Sequence, residues 1–334
     1  MLAVVCPGQG SQTPGMLAPW LELPGTSDLL DSFSAAAGTD LVQHGTTSDA
    51  ETIRDTAVAQ PLIVSASLLA LRAILDGRPT TDVVDVTAGH SVGELAAAAV
   101  AGALDDAGAV GLVSHRARAM AEAAAATPSG MSAVVGGDPD DVLAAIEAAG
   151  LFPANVNGGG QVVAAGSPEA LAALAEQPPT RARVIPLQVA GAFHTPYMES
   201  ARAAFENVAT TWLATDPRLP LLSNADGAAY STLGEGAHGH GRSTDVLARL
   251  SAQVTAPVRW DLCQATLAEL GVTAILELAP GGVLAGLAKR SLKGVELVAV
   301  KSPDDVSAAR DLVARHSVAA GAGATGGDVA QDEQ

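Results

Sequence analysis

Lysine is nearly absent from this chain. Lys289, Lys293 and Lys301 are all it has in 334 residues. Arginine brings the cations to 18, against 36 Asp and Glu, for a net charge of −18. Aromatic residues make up 3% of the chain. A protein that grips nucleic acid along its length needs basic surface and stacking rings, and this composition offers neither. Cysteine occurs twice, at Cys6 and Cys263, far apart in sequence. That gives no disulfide framework and no zinc site, and both residues read as small buried apolar groups. No lysine precedes Lys289, so a glycine-rich phosphate loop ending in Gly-Lys is missing. A dinucleotide fingerprint starting at Gly8-Gln9-Gly10 would need a glycine where the chain has Thr13. No metal and no bound cofactor are expected.

A membrane span is also missing from this reading. The apolar run at residues 56–71 is interrupted by Gln60-Pro61 and closed by Arg72, short of the roughly 20 residues a bilayer requires. The first basic residue is Arg54, too late for the charged start of a signal peptide. The expectation is a soluble, cytoplasmic, monomeric protein.

What is present is apolar and helical. Hydrophobic residues are 48% of the chain and charged ones 16%, which suits a large folded core rather than disorder. Residues 2–6 read as a buried strand running into the loop Pro7-Gly8-Gln9-Gly10-Ser11-Gln12. A long helix is expected over 57–75, broken near Pro61. A β-branched run at 83–86 reads as a strand, followed by a Gly turn and an Ala/Leu-rich helix over 93–104. Strand, tight turn and helix is the alternation of an α/β sheet. A further helix over 106–126 carries Val110, Val113, Ala117 and Met120 on one face. Arg116 lies at the edge of that stripe, where it either snorkels to solvent or enters a pocket.

The middle of the chain has another rhythm. Strands at 131–135, 154–156, 161–165 and 183–189 alternate with helices at 139–149 and 168–175. That is the βαββαβ order of a ferredoxin-like unit. The expected division is residues 1–126 with 197–316 as a large domain and 127–196 as an insert. Beyond the insert come a helix over 198–213, a strand near 221–223, helices at 245–252 and 260–270, and a strand at 274–278. A helix after Pro280 and a strand at 295–300 then close the fold. Residues 317–334, rich in Gly and Ala, read as a disordered tail.

The chemistry starts at Gly89-His90-Ser91-Val92-Gly93. This G-x-S-x-G pattern lies between a strand and a helix, where a sharp turn lifts the serine hydroxyl out of the sheet. The helix N-terminus then faces the reaction centre and favours negative charge. The Val92 N–H is one oxyanion donor. A nucleophilic serine needs a base. His90 sits too close in sequence to reach Ser91, and His238 and His240 lie in a Gly-rich loop. His194 follows an apolar strand and heads the remaining candidates, which position alone leaves open.

These pieces together resemble the malonyl-CoA:acyl carrier protein transacylase family. The matching residues are Pro7 to Gln12 with Gly15-Met16, Ala59-Gln60-Pro61, Gly89 to Glu94 and His115-Arg116. Asn155-Val156-Asn157, Gly191-Ala192-Phe193-His194, the stretch from Gln253 to Val258 and the stretch from Gly281 to Arg290 follow in family order. The resemblance implies an α/β-hydrolase-like core with a parallel sheet, interrupted by the ferredoxin-like insert. It implies acyl-carrier-protein S-malonyltransferase activity with malonyl-CoA and phosphopantetheinylated acyl carrier protein as partners. Ser91 matches the acylated nucleophile and His194 its base, a dyad rather than a triad. Gln9, through its N–H, joins Val92 in the oxyanion hole. Arg116 matches the residue that pairs with the malonyl carboxylate, and Gln253 the residue that orients the histidine. Phe193 stands where room at the acyl α-carbon is set. Asn157 matches a residue near the site without an assigned role.

A serine thioesterase or hydrolase shares the elbow but needs an acid between Ser91 and His194. Asp138, Asp140 and Asp141 are the acids considered, and they fall in the insert. An acyltransferase with another acyl-CoA preference, or one serving polyketide rather than fatty acid synthesis, would keep every residue named. Finally, Lys289, Arg290, Lys293 and Lys301 cluster against the single anion Glu296 within residues 280–301. Part of this complements a helix C-terminus. Lys289, Arg290 and Lys293 are expected to border the surface that meets an acidic carrier protein.

Overall fold

A computed structural model describes residues 1–316. The stretch 317–334, read above as a tail, lies outside the described residues. Four parallel strands form the central sheet in the order β2-β1-β8-β9. They are β1 (Leu2–Cys6), β2 (Val86–Gly89), β8 (Ala274–Glu277) and β9 (Glu296–Ala299). β1 is buried on both faces, as a central parallel strand must be. Leu2, Val4 and Cys6 join one apolar cluster, while Ala3 and Val5 join another across the sheet. The period of two explains that division.

The first cluster is built by helices the sequence reading passed over as well as those it found. α1 (Thr26–Ala37), α2 (Leu41–Thr46), α3 (Thr56–Leu75), α4 (Gly93–Val100) and α5 (Asp106–Ala126) pack there. α3 corrects two expectations. Pro61 lies inside the helix without breaking it, because it removes only the bond its own N–H would make to Ala57, near the first turns. At 20 residues the helix is also long and apolar enough to cross a bilayer. Sixteen of those residues are buried inside the protein, against α1, α4 and α5 among others.

The middle of the chain forms a second sheet in the order β6-β3-β5-β4-β7. Its strands are β3 (Gly130–Gly136), β4 (Phe152–Gly158), β5 (Gln161–Gly166) and β6 (Ala182–Pro186). α6 (Pro139–Ala148) and α7 (Pro168–Glu176) cover one face over their own apolar cluster, which includes Val134, Ile146 and Leu174. The order of the first four strands is that of a ferredoxin-like unit. The fifth strand was not foreseen. β7 (Val258–Arg259) comes from the later part of the chain and pairs in parallel with β4 at Asn155 and Val156.

α8 (Glu199–Ala209), α9 (Ser243–Ala252), α10 (Trp260–Glu269), α11 (Val283–Ser291) and α12 (Val306–His316) complete the fold. α12 follows the strand expected to be last. Several boundaries move. Val83 and Val84 are buried, yet pairing with β1 begins only at Val86. The expected strand near 221–223 shrinks to single bridges, Thr87 with Leu221 and Leu222 with Ala229. The helix after Pro280 starts at Val283. There the buried Glu277 carboxylate accepts the N–H groups of Gly282, Leu284 and Ala285 at 2.8–2.9 Å, satisfying donors that a helix start leaves free.

Candidate active site

The C-terminal ends of β1 and β2 bring two loops together. The β2–α4 turn carries Ser91 in a left-handed conformation, with φ of 54°. The glycines on either side make this possible. A Cβ on Gly89 would stand 2.0 Å from the Gly93 carbonyl carbon, and one on Gly93 would stand 2.2 Å from the Cys6 oxygen. Only hydrogen fits at either position. Asn224 then clamps the turn. Its Oδ1 accepts the Ser91 N–H at 2.8 Å while its Nδ2 donates to the Gly89 carbonyl at 2.8 Å. The donor and acceptor partners fix which way this amide points.

His194 arrives from the other side of the cleft. It lies in the loop eight residues beyond the end of β6, also left-handed with φ of 62°. Thr195 Oγ1 donates to the Ala192 carbonyl at 2.6 Å and braces that loop. His194 Nε2 is 2.7 Å from Ser91 Oγ, and His194 Nδ1 is 2.8 Å from the Gln253 main-chain carbonyl. A carbonyl only accepts, so Nδ1 carries the hydrogen and Nε2 is left to accept the serine proton. Burial pulls the imidazole down to about 3, with the Arg116 charge adding to the effect. His194 is therefore neutral at physiological pH and able to act as a base.

Gln253 orients the histidine through its backbone rather than its side chain. The side chain has another task. Its Oε1 accepts from Arg116 Nη2 at 2.8 Å, and its Nε2 donates to the Ser91 carbonyl at 3.0 Å, to Asn224 Oδ1 at 3.2 Å and to Glu94. Arg116 enters a pocket and does not snorkel: it is fully buried. Its Nη1 donates to Gln60 Oε1 at 2.7 Å, and Nη2 comes within 3.4 Å of Ser91 Oγ. Its Nε has no partner among the described residues. Burial lowers the guanidinium to about 10, which still leaves it a cation at neutral pH. Together these contacts put a serine hydroxyl, a neutral imidazole and a buried positive charge around one point.

Gln9 leaves β1 in the facing loop, and its side chain donates to Thr56 Oγ1 at 3.2 Å. Among the described residues, neither the Gln9 nor the Val92 main-chain N–H donates to a protein acceptor. Free main-chain amides are the kind of donor a developing oxyanion needs. His90 turns away from Ser91. It bonds Asn157 Oδ1 at 2.8 Å and meets Trp260 edge-on at 5.7 Å. Asn157 thus ties the elbow to the second sheet. Phe193 is buried, and its apolar cluster also holds Met120, Ala124 and Met198.

Other residues singled out from the sequence stay away from this point. Asp138 caps α6, accepting the Asp140 N–H at 3.1 Å. His238 is exposed and His240 half-buried in the loop before α9. Cys6 and Cys263 are buried, and burial pushes both thiols up. Lys289, Arg290 and Lys293 are exposed at the end of α11 and just beyond it. Arg290 lies against the β4–β5 turn, where a Cβ on Gly159 would come 3.0 Å from its Nε. Two residues were missed as individuals, Glu94 and Asn224. A glutamate in the first turn of an otherwise apolar helix was the available signal for Glu94. Asn224 lies in a turn-like sequence with nothing to mark it.

The chain matches the family model described as "Acyl transferase domain" over residues 3–312. It is 50% identical over 317 residues to a malonyl CoA-acyl carrier protein transacylase from Mycobacterium tuberculosis, covering 93% of this chain and all of that one. The crystal structure of MCAT from Mycobacterium tuberculosis superposes with a TM-score of 0.84 at 49% identity, over 92% of this chain and 99% of that one. A malonyl-transacylase in complex with its type II PKS acyl-carrier protein matches with a TM-score of 0.83 at 28% identity, over 93% and 99%. With its serine elbow, its histidine and its buried arginine in the order the motifs run, this chain belongs to the acyl transferase family, among the malonyl-CoA:acyl carrier protein transacylases.

Proposed function

We propose that the protein transfers a malonyl group from malonyl-CoA to the phosphopantetheine thiol of an acyl carrier protein. The observation that carries this reading is the convergence of Ser91, His194 and the buried Arg116 on one point. A carboxylate on the acyl group is costly to bury unless paired, and a planar guanidinium binds both its oxygens.

In the first half-reaction His194 Nε2 takes the Ser91 hydroxyl proton as Oγ attacks the thioester carbonyl. The oxyanion rests on the N–H groups of Gln9 and Val92. The carbon–sulfur bond breaks and the CoA thiol leaves with the proton from His194. A malonyl ester of Ser91 remains, and the carrier thiol attacks it in the mirrored second half. Arg116 holds the malonyl carboxylate through both halves, and Phe193 limits room at the α-carbon.

A groove of about 540 Å3 lies on the chain leading to His194, although neither Ser91 nor His194 lines it. It runs between Thr56 on α3, Ala124 on α5 and the segment from Leu187 to Ala190 that leads to His194. The exposed cations Lys289, Arg290 and Lys293 face the carrier protein and steer its encounter.

The test is intact mass after exposure to a mixture of acyl-CoAs. The wild type gains one malonyl group, and Ser91→Ala gains none. A malonyl adduct on Ser91→Ala overturns the assignment of the nucleophile.

A further inference from the structure

Glu94 holds an acid where acids are costly to keep. It lies in the first turn of α4, and only 3% of it is exposed. Both oxygens accept hydrogen bonds: Oε1 from the Asn224 N–H at 2.6 Å, and Oε2 from Gln253 Nε2. No substrate atom needs Glu94, and it makes no hydrogen bond to Ser91 Oγ or His194. Its influence runs through Gln253.

A carboxamide has two orientations with nearly the same shape. In the observed one, Gln253 Nε2 faces the Glu94 carboxylate and Oε1 faces Arg116 Nη2. Flipped, oxygen would meet carboxylate and N–H would meet guanidinium, so like would face like at both ends. The Ser91 carbonyl and Asn224 Oδ1 accept from the same Nε2, and the Glu94 carboxylate adds the one charged acceptor to the orientation that holds Arg116 within 3.4 Å of Ser91 Oγ. It also holds the residue whose main-chain carbonyl fixes the His194 tautomer.

We propose that Glu94 is a positioning residue for acyl selection, acting through the Gln253 carboxamide to keep Arg116 in the pose that accepts an acyl carboxylate. This rests on the malonyl-transfer reading above and names a further determinant of it. The ionised form is required. Two donors converge on Glu94, and a protonated carboxyl or a carboxamide has one pure acceptor oxygen for them.

The surroundings bring this requirement into the working pH range. Arg116 on α5 and Arg249 on α9 are the charges that favour the carboxylate, while Cys263 on α10 and Tyr230, in the turn before α9, are neutral titratable groups facing it. Burial outweighs the favourable contacts and pushes Glu94 up to about 8.

The test compares Ser91 acylation by malonyl-CoA and by acetyl-CoA, read by quenched intact mass in wild type, Glu94→Gln and Arg116→Ala. Taking the ratio cancels any titration that both acyl groups share. In Glu94→Gln the malonyl:acetyl ratio is expected to fall at least tenfold toward the Arg116→Ala value, with acetylation retained. In wild type the ratio is expected to rise with pH around 8, and in Glu94→Gln to stay flat. Equal slowing of both acyl groups in Glu94→Gln overturns the proposal, because that is what a purely structural role gives. If Glu94→Gln does not fold, the wild-type ratio decides, and a flat profile from pH 6 to 10 overturns the proposal. Failure of wild type to take up malonyl at all would instead overturn the malonyl-transfer reading.

Discussion

Arg116→Ala is the substitution whose outcome the site geometry states most sharply. The guanidinium is fully buried and held by two carboxamides, Gln60 and Gln253. An acyl carboxylate meeting it forms up to two charge-assisted hydrogen bonds, each contributing about 1.5–3 kcal/mol. Their loss removes about 3–6 kcal/mol of transition-state stabilisation from malonyl transfer. At about 1.4 kcal/mol per tenfold, kcat/KM for malonyl-CoA falls by about 10²–10⁴-fold. Acetyl-CoA has no carboxylate to lose, so its kcat/KM changes by roughly tenfold or less by the same reasoning. Arg116→Lys falls between, since an ammonium keeps the charge but not the fork. The assay measures kcat/KM for both acyl-CoAs with one carrier protein. Thermal unfolding runs beside it, because two buried acceptors on Gln60 and Gln253 lose their partner. An equal fall for malonyl and acetyl would refute the reasoning, since the arginine would then be serving the fold and not the acyl group.

Three further outcomes are expected. His194 is depressed to about 3 by burial, so single-turnover acylation should show no inflection near pH 6.5, and one there would mean the base is solvated. The linkage sign follows: because the folded pKa lies below the ordinary value, the unfolded chain takes the proton first, and His194 erodes stability as pH falls from about 6.5 toward 3. Gly93→Ala should strongly destabilise the fold, because its Cβ would meet the Cys6 oxygen at 2.2 Å. Circular dichroism melting checks this, and an unchanged Tm would contradict the elbow geometry. Reversing the charges of Lys289 and Lys293 should slow transfer to carrier protein at low salt and leave self-malonylation unchanged. Equal loss in both half-reactions would remove these lysines from docking.

The elbow was legible because its chemistry is local. Gly89 is required by a contact within its own strand–turn–helix unit and Gly93 by the close approach of β1 at Cys6, and the two fall at a fixed spacing around the serine that shows in the sequence. The βαββαβ rhythm was legible for the same reason, since each strand and helix carries its own period. The membership of β7 in that sheet was not. Two residues, Val258 and Arg259, are too few to show a period, and they become a strand only because β4 lies beside them. The site divides along the same line. Ser91 stood out by motif, while the place of Arg116 on its helix left solvent or pocket open and only the family resemblance gave it a role. The division of labour within Gln253 did not, because a main-chain carbonyl has no letter in a sequence.

The sequence by itself determined the class of the fold, a candidate nucleophile and the candidates for its base. Those follow from side-chain type and spacing, which are properties of neighbouring residues. Only the tertiary structure decided that Arg116 is buried, that His194 carries its hydrogen on Nδ1, and that Glu94 and Asn224 belong to the site. Each of those depends on groups more than fifty residues apart, such as Gln60 with Arg116 and Glu94 with Gln253. The balance between desolvating a charge and pairing it exists only once the chain has folded and water has left.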